Sequence, residues 1–534
     1  MLKAENRAEN RAENRIVIVG AGIGGLAAAL ALTAAGRRVT VFERHAHIGG
    51  KARNVETAAG PAPAGPTVMT MRSVFDGLFA AAGARLDDHV RIHREPLLAR
   101  HFWQDGSTLD LTDDPAANEA AVAAFAGARE AAAFRRFAAD ARRLYDGFEK
   151  PMMEAAAPTF GALALHVLRH PSLIPAMTPH LTLAQALARR FADPRLRQLF
   201  GRYATYVGGA PGRSPALLSL IWESESRGVW RVEGGVAALA ASMARLAEAQ
   251  GAEFRLGAHV EEIETERGAV AGLRLAGGER IAAKTILFNG DPAALRRGLL
   301  GPGAGGAVTK AAISPRSLSA YVWSFAAEPS RPDLAHHNVF FGPDPAREFG
   351  PIEAGAMPDS PSLYVCAADR GGIGGENAAP AGPERFEIIM NGAPDEPGRV
   401  EERERCRDLT FGTLARFGLT FSPAPGPESL SSPRDFAALF PGSDGSLYGR
   451  SPHGAMAAFA RPTARSRVPG LFLCGGGAHP GAGVPMAARS GLRAAEAILA
   501  GPSSTSMSAR TATPGGISTG SATTGRAPSP SSAS

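Results

Sequence analysis

The chain has 534 residues, 45% hydrophobic and 20% charged, with 57 Lys and Arg against 51 Asp and Glu for a formal net charge of +6. Such a length suggests more than one folding unit around a large core, and so small a charge, with no basic block interleaved with aromatics, argues against nucleic-acid binding while leaving room for an anionic membrane face. Cys366, Cys406 and Cys474 stand far apart without a C-x-x-C pair, which suits a reducing cytoplasm and offers neither a disulfide frame nor a zinc site.

Residues 4–15 repeat Ala-Glu-Asn-Arg three times. A helix there would stack Glu5, Glu9 and Glu13 at i, i+4, so residues 1–15 read as a flexible leader. A β-branched strand follows at 16–19 and runs into Gly20, Gly22, Gly24 and Gly25, the first, second and fourth in G-x-G-x-x-G spacing. Gly20 serves the tight turn, Gly22 the approach of backbone to a pyrophosphate, and Gly25 the packing of the next helix on the sheet. That helix offers its positive N-terminus to phosphates. A second strand at 38–42 ends at Glu43, where a carboxylate can accept from ribose hydroxyls and disfavours a 2'-phosphate. Residues 16–36 carry no charge and reach spanning length, but four glycines in the first half make a poor continuous helix. A strand, turn and helix explain every residue, and the chain reads as soluble or peripheral rather than integral. Arg44, Gly49, Gly50 and Lys51 then resemble the R-x-G-G-R/K element beside the pyrophosphate in flavoproteins of the glutathione-reductase type.

Residues 74–228 are rich in Ala, Leu, Arg and Phe at helical spacing and read as a mainly helical insertion. Within it, 155–168 is uncharged apart from His166, and apolar residues continue through Leu173, Ile174, Ala176 and Met177. Such a patch suits a membrane interface that admits a lipophilic substrate. A buried helix pair broken by Pro171 and Pro175 explains the same residues. A helix at 236–250, a strand at 253–256 and short runs at 259–263, 270–275 and 280–288 resemble the β-meander and return strand of a two-dinucleotide-binding flavoprotein. Strand-like runs at 319–325, 337–341, 362–366 and 386–390 suggest a second sheet covering a substrate cavity. His336 and His337 are adjacent, and neighbours on a strand point to opposite faces, so they make a poor metal pair and no metal site is assigned. At 469–499 a second glycine-rich strand-to-helix turn returns to the nucleotide site. Beyond it, 501–534 is almost entirely Ser, Thr, Gly, Pro and Ala without apolar period, the composition of a disordered tail.

The expected fold is α/β, with a discontinuous FAD-binding domain at 16–73, 229–300 and 435–500, the insertion at 74–228, and a substrate-domain sheet at 301–434. At the C-terminal block H-P-G-x-G-x-P the chain resembles the carotenoid desaturases of the phytoene desaturase family, over about residues 15–500. The blocks GPTVMTMR (65–72), YATYVG (203–208), HHNVFF (336–341), YVCAADR (364–370) and VPMAA (484–488) resemble the branch of that family acting on 1-hydroxycarotenoids in purple photosynthetic bacteria. The resemblance implies FAD, with Gly20, Gly22, Gly25, Glu43, Gly49, Gly50 and Lys51 on its ADP half and Val260 touching adenine through its backbone. Gly65, Pro66, Thr67, Val68 and Asp291, together with Gly477, Gly483, Val484, Pro485 and Met486, are implied to line the flavin. One departure is 61–64, where relatives commonly carry an aspartate before A-G-P-T.

The implied reaction desaturates the C-3,4 bond of an acyclic 1-hydroxy- or 1-methoxy-carotenoid. Its alternatives are a phytoene or neurosporene desaturase or a carotenoid isomerase on the same scaffold, and a non-catalytic flavin- or carotenoid-binding partner. Hydride loss beside a long polyene leaves a delocalised cation, so no strong base is required and none is assigned. His479 reads better as a donor that stabilises the turn than as a base. The implied location is cytoplasmic, peripheral to the inner or photosynthetic membrane, with the electron acceptor left open.

Overall fold

The computed structural model describes residues 15–371, 381–395 and 402–501. The leader through residue 14 and the tail from 502 lie outside the described residues. Val17 and Ile18 sit at zero exposure, because the β-branched first strand, Arg15–Val19, is buried on both faces, the signature of a central parallel strand. It pairs in parallel with Arg38–Phe42 on one side and Thr285–Phe288 on the other. Glu253–Arg255 and Leu471–Leu473 extend the sheet at its two edges to five strands. Ile16 and Ile18 face helices Ile23–Ala34, Gly235–Ala249 and Val484–Leu499, while Val17 and Val19 face the meander side.

That meander is the antiparallel trio Val260–Glu266, Ala269–Leu275 and Arg280–Ala282. The run 280–288, read from sequence as one strand-sized segment, divides at residues 283–284 and serves two sheets. Its first part closes the meander and its second joins the parallel sheet beside Arg15–Val19.

A second, eight-stranded sheet is built around Ser319–Pro329, Glu384–Gly392, Leu363–Ala367 and His337–Phe340, consecutive antiparallel neighbours. Phe386, Ile388, Leu363, Val365 and Trp323 pack on one face against helix Arg403–Arg416 through Cys406 and Leu414. The other face presents Val339, Tyr364, Ile389 and Asn391 to a cavity. Residues 74–228 are less uniformly helical than their composition suggests. Leu97–Phe102 pairs in parallel with His337–Phe340, Thr108–Thr112 closes a hairpin with it, and Ile92–Glu95 pairs with Val229–Val232. The rest of that interval is helical, led by Ala128–Phe148, whose Phe134 and Phe137 join Phe200 and Trp222 in one core. Among the described residues no helix is long and apolar enough to cross a membrane.

Candidate functional site

The first turn is held by backbone that tolerates no side chain. A Cβ on Gly25 would lie 2.2 Å from Gly20 O, and one on Gly24 would lie 2.8 Å from Gly475 N and Cα. Gly22 is the N-cap of helix Ile23–Ala34, and no side chain caps that end, so its N–H groups remain available to an anion. Glu43 is buried at the tip of the second strand; its Oε2 accepts from Ala21 N at 2.8 Å and its Oε1 from His45 N at 2.9 Å. The carboxylate thus braces the glycine turn while keeping lone pairs for a ribose. Val260 opens the meander nearby, since Gly257 N and Ala258 N donate to His45 O and Glu43 O.

Gly49 and Gly50 stack on the same turn. Gly49 N donates to Ala21 O at 2.8 Å, and a Cβ on Gly50 would reach Gly22 Cα at 3.1 Å. Arg44 stays exposed. Lys51 turns inward: its Nζ donates to Leu447 O at 2.6 Å and sits over the Phe440 ring. Burial lowers its ammonium to about 8, with Asp291 opposing and Arg316 and Arg461 reinforcing that shift. Gly65 packs so tightly that a Cβ would lie 1.9 Å from Lys51 O.

The C-terminal turn meets the N-terminal one through Asn289, which follows the return strand and is absent from the expected cofactor residues. Its Nδ2 donates to Gly20 O at 3.0 Å and Gly22 O at 3.3 Å, and its Oδ1 accepts from Cys474 Sγ. A polar side chain ending a buried strand beside a glycine-rich turn is the signal that finds it. Asp291 caps helix Pro292–Arg296 and pairs with Arg316, and a Cβ on Gly477 would strike Pro292 Cδ at 2.4 Å. Arg461 donates to Gly476 O, Tyr448 O and Arg450 O, and burial lowers it to about 10. His479 Nε2 donates to Ala155 O at 2.8 Å, the bond expected of a turn-stabilising side chain. Val484, Pro485 and Met486 form the first turn of helix Val484–Leu499, whose Gly491 packs on Gly24.

A cavity of about 500 Å³ opens where these turns face the second sheet. Pro66, Thr67, Val68, Gly483 and Val484 line it from the nucleotide side, and Val339, Tyr364 and Ile389 line it from the sheet. Arg202 and Tyr206 form a third wall. Arg202 donates to Tyr206 Oη at 2.6 Å and Glu225 Oε1 at 3.0 Å, and Tyr206 Oη donates to Glu225 Oε2 at 2.6 Å. Below Gly65 and Thr67 lies Glu387, fully buried, with neither oxygen completing a hydrogen bond. Burial raises its carboxyl to about 8 against the pull of Gly65 N–H, Arg53 and Thr67.

The histidine pair departs from the strand-alternation argument. His336 precedes strand His337–Phe340, so alternation does not separate the two, and donor atoms of His336, His337 and Cys366 lie within 4.8 Å of one another. Three of the four ring nitrogens have protein partners: His336 Nδ1 meets Arg370 O at 2.8 Å, its Nε2 meets Cys366 Sγ at 3.7 Å, and His337 Nδ1 meets Tyr364 Oη at 2.6 Å.

The glycine cradle, the uncapped helix end and the buried carboxylate at the second strand fit the adenosine and pyrophosphate of a dinucleotide. A second glycine-rich turn held against the first suits its flavin half. These features belong to an FAD-dependent oxidoreductase, and the chain is a member of the flavin containing amine oxidoreductase family, whose model matches residues 23–499. It is 57% identical over 485 residues to hydroxyneurosporene desaturase of Cereibacter sphaeroides, covering 91% of this chain and 97% of that one. The enzyme of the same name from Rhodobacter capsulatus is 51% identical over 91% of this chain and 97% of its own. Among solved structures, cyclohexylamine oxidase from Brevibacterium oxydans shares the fold at a TM-score of 0.55 and 18% identity, over 91% of this chain and 98% of that one.

Proposed function

We propose that the protein desaturates the C-3,4 bond of an acyclic 1-hydroxy- or 1-methoxy-carotenoid during carotenoid biosynthesis. The observation that carries this reading is the cavity, lined mostly by apolar surface and bounded by the residues expected beside the flavin. A polyene needs such a lining, and the relatives' names supply the substrate class. Bound FAD supplies a two-electron hydride acceptor. Val339, Ile389 and Phe341 hold the chain of the substrate by contact and exclude water. Thr67, Thr205, Tyr206, Ser362, Tyr364 and Tyr448 give the wall its hydroxyl groups, and a substrate hydroxyl whose own carbon is two bonds from the nearer reacting carbon must lie within their reach.

Access from a bilayer accounts for a second feature. Phe160, Leu165, Leu168 and Ile174 are exposed on helix Phe160–Arg169 and the short helix Leu173–Met177 that follows, while Leu173 and Ala176 pack inward. This apolar ridge suits peripheral docking on a membrane that holds the carotenoid. Incubating purified protein with 1-hydroxyneurosporene in liposomes tests the function. A red-shifted product with two fewer hydrogens supports it; an isomer of unchanged mass, or no change, overturns it.

A further inference from the structure

Two sequence blocks that the cofactor site leaves unexplained, 336–341 and 364–370, lie on neighbouring strands and meet in the cavity wall. Tyr364 lines the cavity, and its hydroxyl lies 2.7 Å from Thr67 Oγ1 and 2.6 Å from His337 Nδ1. His337 is 1% exposed, and its Nε2 has no hydrogen-bond partner. Thr67 belongs to the loop expected along the flavin, so this hydroxyl pair sits where the cavity adjoins the hydride acceptor. We propose that Tyr364, backed by His337, takes the proton that leaves the carotenoid as its new double bond forms.

The inference rests on the desaturase reading. In that reaction one carbon loses hydrogen with both bonding electrons to the flavin. The neighbouring C–H bond then breaks, its electron pair becomes the second bond between the two carbons, and the proton passes to Tyr364 Oη. The phenolic proton moves to His337 Nδ1, which requires the resting imidazole to carry its own proton on Nε2. A C–H beside a delocalised cation is acidic enough for neutral acceptors.

Other groups in or near the wall serve less well: Glu348, the carboxylate in the lining, is committed to Ser362 N–H and Asn391 Nδ2. Tyr206 is committed to Glu225 and Arg202. Tyr448 lines the cavity, but among the described residues no hydrogen bond joins its hydroxyl to a base, and Glu387 acts on it only through charge. Glu387 lies beneath the loop rather than in the wall. Burial, reinforced by His336, Arg202 and Arg231, keeps His337 uncharged, and burial keeps the Tyr364 phenol protonated, so the pair rests neutral with room for one more proton.

Tyr364→Phe and His337→Asn holoenzymes test this, the latter keeping an acceptor near Nδ1 that cannot hold a proton. Both are expected to retain FAD and bind carotenoid, while anaerobic single-turnover desaturation falls about 100-fold, the scale of general acid–base catalysis. Deuterium on the carbon that loses the proton should give a larger isotope effect in both variants than in wild type. In the substrate-free protein the 15N shift of His337 Nδ1 should report an acceptor, and Tyr364→Phe should move it. If Tyr364→Phe sheds FAD, His337→Asn carries the kinetic test alone. Single-turnover rates within twofold of wild type, or an unchanged isotope effect, would overturn the proposal. Wild-type protein that removes no hydrogens from the carotenoid would instead overturn the desaturase reading.

Discussion

Gly25 shows how little tolerance the cofactor turn has at single atoms. A methyl group there would meet Gly20 O at 2.2 Å, backbone that cannot swing aside. Gly25→Ala should therefore cost about 1–3 kcal/mol, the range for overpacking a filled core, and lose FAD, read as flavin absorbance per protein and as a lower Tm. Wild-type flavin content would contradict the assignment. Lys51 gives a pH signature. Its folded ammonium loses its proton at about 8, whereas the ordinary value is 10.5. Between those limits the unfolded chain binds more protons, so stability rises with pH across that window. The Tm of cofactor-free wild type minus that of Lys51→Met should climb from pH 8 to 10.5; a flat difference would refute the buried placement. The glycine turn and the place of Glu43 beside it were legible because both follow from local spacing. Asn289 was not, because its partners lie 269 and 185 residues away. The inward turn of Lys51 was equally hidden, since Leu447 and Phe440 come from the far end of the chain.

At the scale of elements, the second sheet depends on an ion pair as well as on apolar packing. Arg370 and Glu384 are 1% and 2% exposed at the side chain and form two charge-assisted bonds of 2.7 Å where Glu384–Gly392 begins. Arg370 also donates to Pro332 O and Leu334 O, tying three segments together. Glu384→Ala leaves a guanidinium buried without its counter-ion, a loss of about 3–5 kcal/mol. A lower urea midpoint checks this, and an unchanged midpoint would show the pair to be dispensable. All five strands of the parallel sheet and four of the eight in the second sheet were legible from β-branched runs and alternation. The hairpin Leu97–Phe102 and Thr108–Thr112 was missed because alanine-rich helices surround it and its first strand does not alternate cleanly. Asp105 and Gly106 between two strand-length runs are the turn signal that would have revealed it. The division of 280–288 was hidden for another reason: one apolar run can satisfy two sheets, and only tertiary pairing assigns each half.

For the whole molecule, the two glycine-rich turns close one end of an apolar cavity and the face of the second sheet that carries Val339, Tyr364 and Ile389 closes another side. The exposed ridge at 160–174 is the face that the proposed docking on lipid would use. Leu168, 72% exposed, does little for the folded core. Leu168→Glu should keep Tm and FAD content while weakening binding to carotenoid-free liposomes by about tenfold, since burial of a leucine is worth about 1.5–3 kcal/mol. Unaltered co-sedimentation would rule out the ridge as the docking face. The ambiguity of 155–177 in sequence was real, because Leu173 and Ala176 are buried while Leu168 and Ile174 are not. The most direct test of the account is the mass of the product formed anaerobically from 1-hydroxyneurosporene by the stoichiometric FAD holoenzyme. Desaturation predicts a product two hydrogens lighter, with bleaching of the flavin absorbance in step; unchanged mass with the flavin still oxidised would contradict it.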